Sequence, residues 1–250
     1  MLAFGREKDY TGLASARCAL RQDYKAILEA HMADRQKLPA LARTFVSAML
    51  AGVVIGIGGM AFLSCPDRTV GALLFCVGLF TICTFGLRLY TGRVGHVLDN
   101  REFADLGATW LGNLGGTLLA GLAIAAAEPA LSEAAQAACA ARLTQSAGQT
   151  LVLSLLCGIL MYVAVDSYRK GEGMARYLGI LLCVPTFILC GCEHSVADMF
   201  YFALAGAEFA AQGSWLELAH GAWFIVLASL GNAVGALLAN AVVRFITPRQ

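Results

Sequence analysis

Five stretches of this chain lack any Asp, Glu, Lys or Arg: Thr44 to Pro66, Thr69 to Leu87, Leu106 to Ala127, Leu143 to Val165 and Leu218 to Val243. A helix needs about 20 predominantly apolar residues to cross a hydrocarbon core, so each run is read as a membrane span. With 58% hydrophobic and 14% charged residues among 250, the chain lies far from the charge content of soluble domains. It reads as an all-α integral membrane protein whose partner is the lipid bilayer. The net charge of +1 is uninformative about partners, and no nucleic-acid partner is expected.

A sixth run is interrupted. Tyr177 to Cys192 is apolar for only 16 residues before Glu193 and His194, and a shorter apolar piece, Met199 to Ala207, follows Asp198. A charged side chain at mid-membrane costs about 2.5–3.5 kcal/mol on insertion scales, and intramembrane ionisable residues mark functional sites by default. The run is therefore read as one crossing built from two half-helices, which makes six spans in residues 41–250.

Arg6, Lys8, Arg17, Arg21, Lys25, Arg35, Lys37 and Arg43 precede the first span, and Arg169, Lys170 and Arg176 lie between the fourth and fifth. Arg68 and Arg142 are the basic residues on the other side, so the positive-inside rule places both termini in the cytoplasm. The first forty residues carry charges throughout and show no cleavable signal peptide. Within this 1–40 segment, Leu20, Tyr24, Ile27, Leu28 and Met32 recur at helical spacing, which predicts an amphipathic helix from Ala14 to Lys37.

An internal repeat organises the rest. The stretch from Leu111 to Ala120 matches Leu230 to Ala239 at constant offset, each with an L-G-N-x-x-G core followed by L-L-A. The third and sixth spans are then equivalents, and three spans per half must set the halves, about 41–127 and 143–246, in opposite orientations. A break in the fifth span predicts one in the second. It is found at Arg88 to Arg93, a polar stretch bearing Gly92, with Asp99 and Asn100 read as caps of the third helix.

Histidine exchanges protons near neutral pH, so His194, with Thr91 from the opposite break, is the leading candidate to meet a small anion. Ser195 is read as the cap of the following half-helix, and Asn113 and Asn232 as hydrogen-bond partners of the broken segments or as interhelical ties. Phe75, Leu79, Leu89 and Phe187 flank the breaks as candidate hydrophobic constrictions. No C-x-x-C pair and no His or carboxylate cluster has metal-ligand spacing, so neither a cofactor nor a metal is expected. Cys65 and Cys139 are both assigned to the outer side, where a disulfide is one open alternative.

Gly191 to Met199 (G-C-E-H-S-V-A-D-M), Leu89 to Gly92 (L-Y-T-G) and the two L-G-N-x-x-G segments together resemble the formate/nitrite transporter family along essentially the whole chain. The resemblance implies an aquaporin-like inverted-repeat bundle of six helices, interrupted in the second and fifth, assembled as a homopentamer in the cell membrane with one pore per protomer. It implies passage of small monovalent weak-acid anions with protons, formate first, with nitrite or hydrosulfide as alternatives. It assigns the central histidine to His194, the loop threonine to Thr91, and constrictions to Phe75, Leu79, Leu89 and Phe187, with Tyr90 beside the threonine.

The departures concern charge. Arg88 stands where the family pattern has glutamate, Tyr90 where it has phenylalanine, Arg93 where it has asparagine, and Asp198 where H-S-x-A-N ends in asparagine. Arg142 is the nearest candidate for an anion-attracting lysine of the family. Arg88 is the expected counter-ion of Glu193, and Asp166 is expected to pair with Arg88 or Arg93. A channel for neutral solutes would share the architecture, but none of the five prolines follows an asparagine, as the paired N-P-A signature requires. An enzyme built on Glu193 and His194 is the more distant alternative, and the chain is read as no enzyme.

Overall fold

The computed structural model describes residues 39–247, and the amphipathic segment expected at Ala14 to Lys37 lies outside the described residues. The chain divides into two compact units between Arg43 and Thr44. The described part of the first is residues 39–43, and every contact below belongs to the second.

The helices are α1 (Ala40–Ser64), α2 (Arg68–Phe85), the short α3 (Tyr90–Arg93), a 3-10 turn (Val94–His96), α4 (Val97–Asn100), α5 (Phe103–Ala127), α6 (Pro129–Leu143), α7 (Ala147–Lys170), α8 (Ala175–Leu189), α9 (Ser195–Ala211) and α10 (Trp215–Ile246). Helices α1, α2, α5, α7 and α10 are long and apolar enough to cross a membrane. Helices α8 and α9 together supply the sixth crossing, and no strand occurs among the described residues. Helix α9 begins four residues earlier and ends four later than the apolar run Met199 to Ala207, because its buried face tolerates Asp198. Helix α6 has no counterpart in the pattern of spans. It is rich in alanine with scattered polar residues, opens on Pro129 at its first position, and is neither apolar enough to read as a span nor periodic enough to stand out.

Local chemistry sets the boundaries. The Asp67 carboxylate accepts the Thr69 and Val70 N–H groups at 2.8 and 2.9 Å and starts α2. Ser146 and Gln149 form a reciprocal capping box at the start of α7. The third span starts at Phe103, so Asp99 and Asn100 do not cap it. Asp99 instead accepts Asn240 Nδ2 at 2.8 Å and pairs with Arg244, tying α4 to the end of α10.

The two breaks share one construction. Gly86 (φ 64°) and Gly191 (φ 67°) take the left-handed conformation that ends a helix most cheaply in glycine. Past them the Leu87 N–H bonds the Ile82 carbonyl, and the Cys192 N–H bonds the Phe187 carbonyl, each at 2.9 Å. The second span is thus broken at Gly86 to Leu89, and the glycine that permits it is Gly86, whereas Gly92 lies within a helical turn.

The halves are clamped by helix pairs α1·α5 and α7·α10, each meeting through small residues. A Cβ on Gly52 would strike the Asn113 carbonyl, and one on Gly158 the Asn232 carbonyl. One on Gly116 would strike the Met49 carbonyl, and one on Gly235 that of Leu155. Such close approach is how helices associate where lipid offers no hydrophobic drive. Most of the large apolar side chains left exposed, among them Leu74, Val77, Leu119, Leu182, Leu230 and Leu238, lie on the spans. Cys65 and Cys139 are free thiols, not a disulfide.

Candidate functional site

At the apex of each break one residue is held by its neighbours' backbone. Asn113 Oδ1 accepts the Tyr90 N–H at 2.9 Å, while its Nδ2 donates to the carbonyls of Arg88 and Ala48, both at 2.9 Å. Asn232 Oδ1 accepts the Ser195 N–H at 2.9 Å, while its Nδ2 donates to the carbonyls of Glu193 and Ser154 at 2.9 and 2.8 Å. These amides therefore both satisfy the interrupted backbone and tie neighbouring helices. Leu89 in the first half occupies the place that His194 holds in the second.

His194, not Ser195, caps α9: its Nδ1 accepts the Ala197 N–H at 3.1 Å. A ring nitrogen that accepts from the backbone carries no proton, so the imidazole is the neutral tautomer with hydrogen on Nε2. That nitrogen lies 2.9 Å from Thr91 Oγ1, joining the two breaks. The Phe187 ring stacks on the imidazole with centroids 5.4 Å apart, and Phe75 meets Phe187 edge-on at 6.1 Å. Phe75, Leu79, Leu89 and Phe187 are all buried, as are Thr91 and His194. Ser195 Oγ is buried without a hydrogen-bond partner.

Cavities approach this cluster from opposite ends of α2. One, of about 440 Å³, is lined by Leu89 with Arg93, His96, Arg169 and Arg176. The other, of about 480 Å³, is lined by Phe75, Phe187 and His194 together with Arg142, Tyr201 and the exposed Arg68. Thr91 and Leu79 line neither and stand between them. Tyr90, grouped with the pore residues on sequence grounds, also lines neither: its hydroxyl donates to the Ser229 carbonyl at 3.1 Å.

The charges pair differently from the expectation. Arg88 does not reach Glu193. Its Nη1 donates to Asp105 Oδ2 at 2.5 Å, and Arg93 pairs with Glu102 at 2.7 Å and with Asp105 at 3.3 Å. Asp166 pairs with Lys170 at 2.8 Å, one helical turn along α7, and not with Arg88 or Arg93. Glu193 and Asp198 both take Arg142: its Nε donates to Glu193 Oε2 and to Asp198 Oδ1, each at 3.0 Å. Gln145 Nε2 donates to Glu193 Oε1 at 2.7 Å, and the guanidinium lies 5.0 Å from the centroid of the Tyr201 ring. Burial works to lower the Arg142 pKa, but the Asp198 and Glu193 carboxylates outweigh it, and the net shift is upward. Gln145 and Tyr201 carry no sequence signal: Gln145 lies in the turn between α6 and α7, three residues past Arg142, and Tyr201 lies on α9, one turn past Asp198.

A family model described as formate/nitrite transporter matches residues 22–246. The chain belongs to the formate/nitrite transporter family. Among curated members of that family, nitrite transporter NirC of Salmonella typhimurium is 29% identical over 181 residues, covering 64% of this chain and 67% of the relative. Formate channel FocB of Escherichia coli is 27% identical over 219 residues, covering 77% and 76%. A solved formate/nitrite transporter ion channel superposes with a TM-score of 0.73 at 24% identity, covering 93% of this chain and 98% of that one. A structure described as a pentameric formate channel with formate bound gives 0.67 at 23% identity, covering 83% and 95%. The shared fold is that of these channels: a multi-pass helical membrane bundle with two interrupted crossings.

Proposed function

We propose that this family member passes small monovalent weak-acid anions across the cell membrane, formate foremost, with nitrite and hydrosulfide as the alternative cargoes. The observation that carries the reading is the His194 Nε2 to Thr91 Oγ1 pair, 2.9 Å apart and buried between two cavities. Apolar side chains border both cavities at this point: Leu89 at one end, and Phe75 and Phe187 beside His194 at the other. Carrying bare charge across such a barrier is costly, and the pair at its centre offers an Nε2–H and a hydroxyl to an oxyanion. Hydrogen-bond or proton donation at His194, with Thr91, carries the ion past the apolar rings as a neutral or transiently neutralised species at lower cost; the alternative role of His194 is a pH-dependent gate. Like that pentameric relative the chain assembles as five copies; each copy here carries its own pore, and both termini face the cytoplasm.

Uptake into proteoliposomes by the full-length protein, across formate, nitrite and hydrosulfide at several pH values, tests this reading. Transport that depends on pH and is strongly reduced in His194→Asn is the expected result. Unchanged uptake by that variant removes His194 from the pathway. Large currents in a voltage-clamped bilayer without proton uptake would establish flow of the bare anion instead.

A further inference from the structure

A weak-acid anion that crosses as the neutral acid must collect a proton, and His194 as it stands has none to spare. Its Nδ1 is engaged by the Ala197 N–H, and loss of the Nε2 hydrogen would leave an imidazolate. Other proton carriers line the same vestibule. Glu193 and Asp198 share one Arg142 Nε–H, so two carboxylates face a single guanidinium. Asp198 is fully buried, and its Oδ2 has no hydrogen-bond partner. A buried acceptor without a partner forfeits its hydration and receives nothing in return. The remaining groups facing the cluster are Gln145 on Glu193, the Tyr201 ring against the guanidinium, the Cys139 thiol one turn before Arg142, the buried thiols of Cys157 on α7 and Cys192 in the break, Arg68 at the vestibule mouth and His194 itself. Among the described residues no second cation lies within ion-pair distance of either carboxylate.

We propose that Asp198 is an internal competitor for the anion site of Arg142. Its ionised carboxylate occupies the guanidinium, and a proton taken from solution onto Oδ2 releases that guanidinium to a small monovalent oxyanion. One proton and one anion thus load together from this vestibule. An O–H bond forms at Asp198 Oδ2, the Nε–H to Oδ1 hydrogen bond gives way, and the anion accepts in its place. Because H⁺ and the anion arrive together, the buried cluster gains no net charge. As the anion moves inward past Phe75 and Phe187, the proton leaves Asp198 with it as the neutral acid, and the carboxylate returns to Arg142. Glu193, anchored by Gln145, remains the standing partner of the arginine. This deepens the transport reading above and rests on it.

Nitrate, the anion of a strong acid, serves as the probe because it does not itself titrate in the working range. Its inhibition constant against labelled formate uptake is measured from the Arg142 side in sided vesicles containing the full chain. In the wild type the constant should fall by about tenfold between about pH 7.5 and pH 5.5, following proton occupancy of one carboxylate. In Asp198→Asn, which restores the residue of the family pattern, and in Asp198→Ala it should be low and flat. A flat wild-type profile overturns the proposal without recourse to any variant, and so does a slope that survives in either one, which would place the titrating group elsewhere, His194 included. Failure of the wild type to take up any of the anions sinks the transport reading itself and this proposal with it.

Discussion

Asn113 and Asn232 make the same bonds at opposite ends of the repeat: each accepts the N–H of the first residue after a break and donates to the carbonyl two positions before it. Each also holds a carbonyl of the helix behind it, Ala48 or Ser154. Interrupted backbone at membrane depth survives only where such partners replace water.

Removing either amide should therefore destabilise the bundle. Asn232→Ala strands the Ser195 N–H and two carbonyls, at about 1–3 kcal/mol for each group left unsatisfied. Thermal unfolding of purified protein in detergent should show a clear fall in Tm for Asn232→Ala and a matching one for Asn113→Ala. Equal losses would show that the two halves depend on their braces alike; no loss would mean that other groups take over the bonding.

Helix approach provides a second test with an internal control. Gly52→Ala and Gly158→Ala drive a methyl group into the Asn113 and Asn232 carbonyls and should lower Tm or abolish recovery of folded protein. Gly148, also in α7, would present a methyl group to open space, with no atom within 4 Å, so Gly148→Ala should be neutral or stabilise by up to about 1 kcal/mol.

The Arg142 cluster should respond asymmetrically to neutralisation. Arg142→Met leaves Glu193 and Asp198 buried without their cation, a change that costs about 3–5 kcal/mol when a buried pair is broken from one side. Adding Glu193→Gln and Asp198→Asn to that variant should recover most of the loss in the same melting experiment. A triple variant no more stable than Arg142→Met would count against charge as the origin.

At the centre, Thr91→Val keeps the shape of the side chain and removes the hydroxyl facing His194 Nε2. Loss of about 1.4 kcal/mol of hydrogen bonding to the passing anion corresponds to about a tenfold lower transport rate. Initial rates in proteoliposomes check this, with Tm measured alongside to separate transport from folding.

The spans and the repeat are legible because hydropathy and the L-G-N-x-x-G cores are local properties of the chain. The same repeat exposes Asn113 and Asn232, and the break of the fifth span exposes the break of the second. The glycine of that second break is harder to read, since Gly92 sits in the polar stretch that marks the break while Gly86 ends an apolar run. The charge pairing is mostly not legible. Arg142 reaches Glu193 and Asp198 across 51 and 56 residues, and the fold alone brings α6 over the break. The Asp166 and Lys170 pair is the exception: a spacing of four on one helix is a local signal. Residue type alone points to Ser195 as a cap, although histidine performs the same service one position earlier.

Leu89 and His194 sit at equivalent apices, and in both cases the bonds that fix the apex run through flanking backbone and a distant asparagine. The imidazole caps α9 and bonds Thr91, but the side chain at the apex carries no part of that asparagine bracing. Selectivity can be rewritten there one codon at a time while the architecture stays put, and a duplicated scaffold that began with two alike apices could give one to exclusion and the other to exchange.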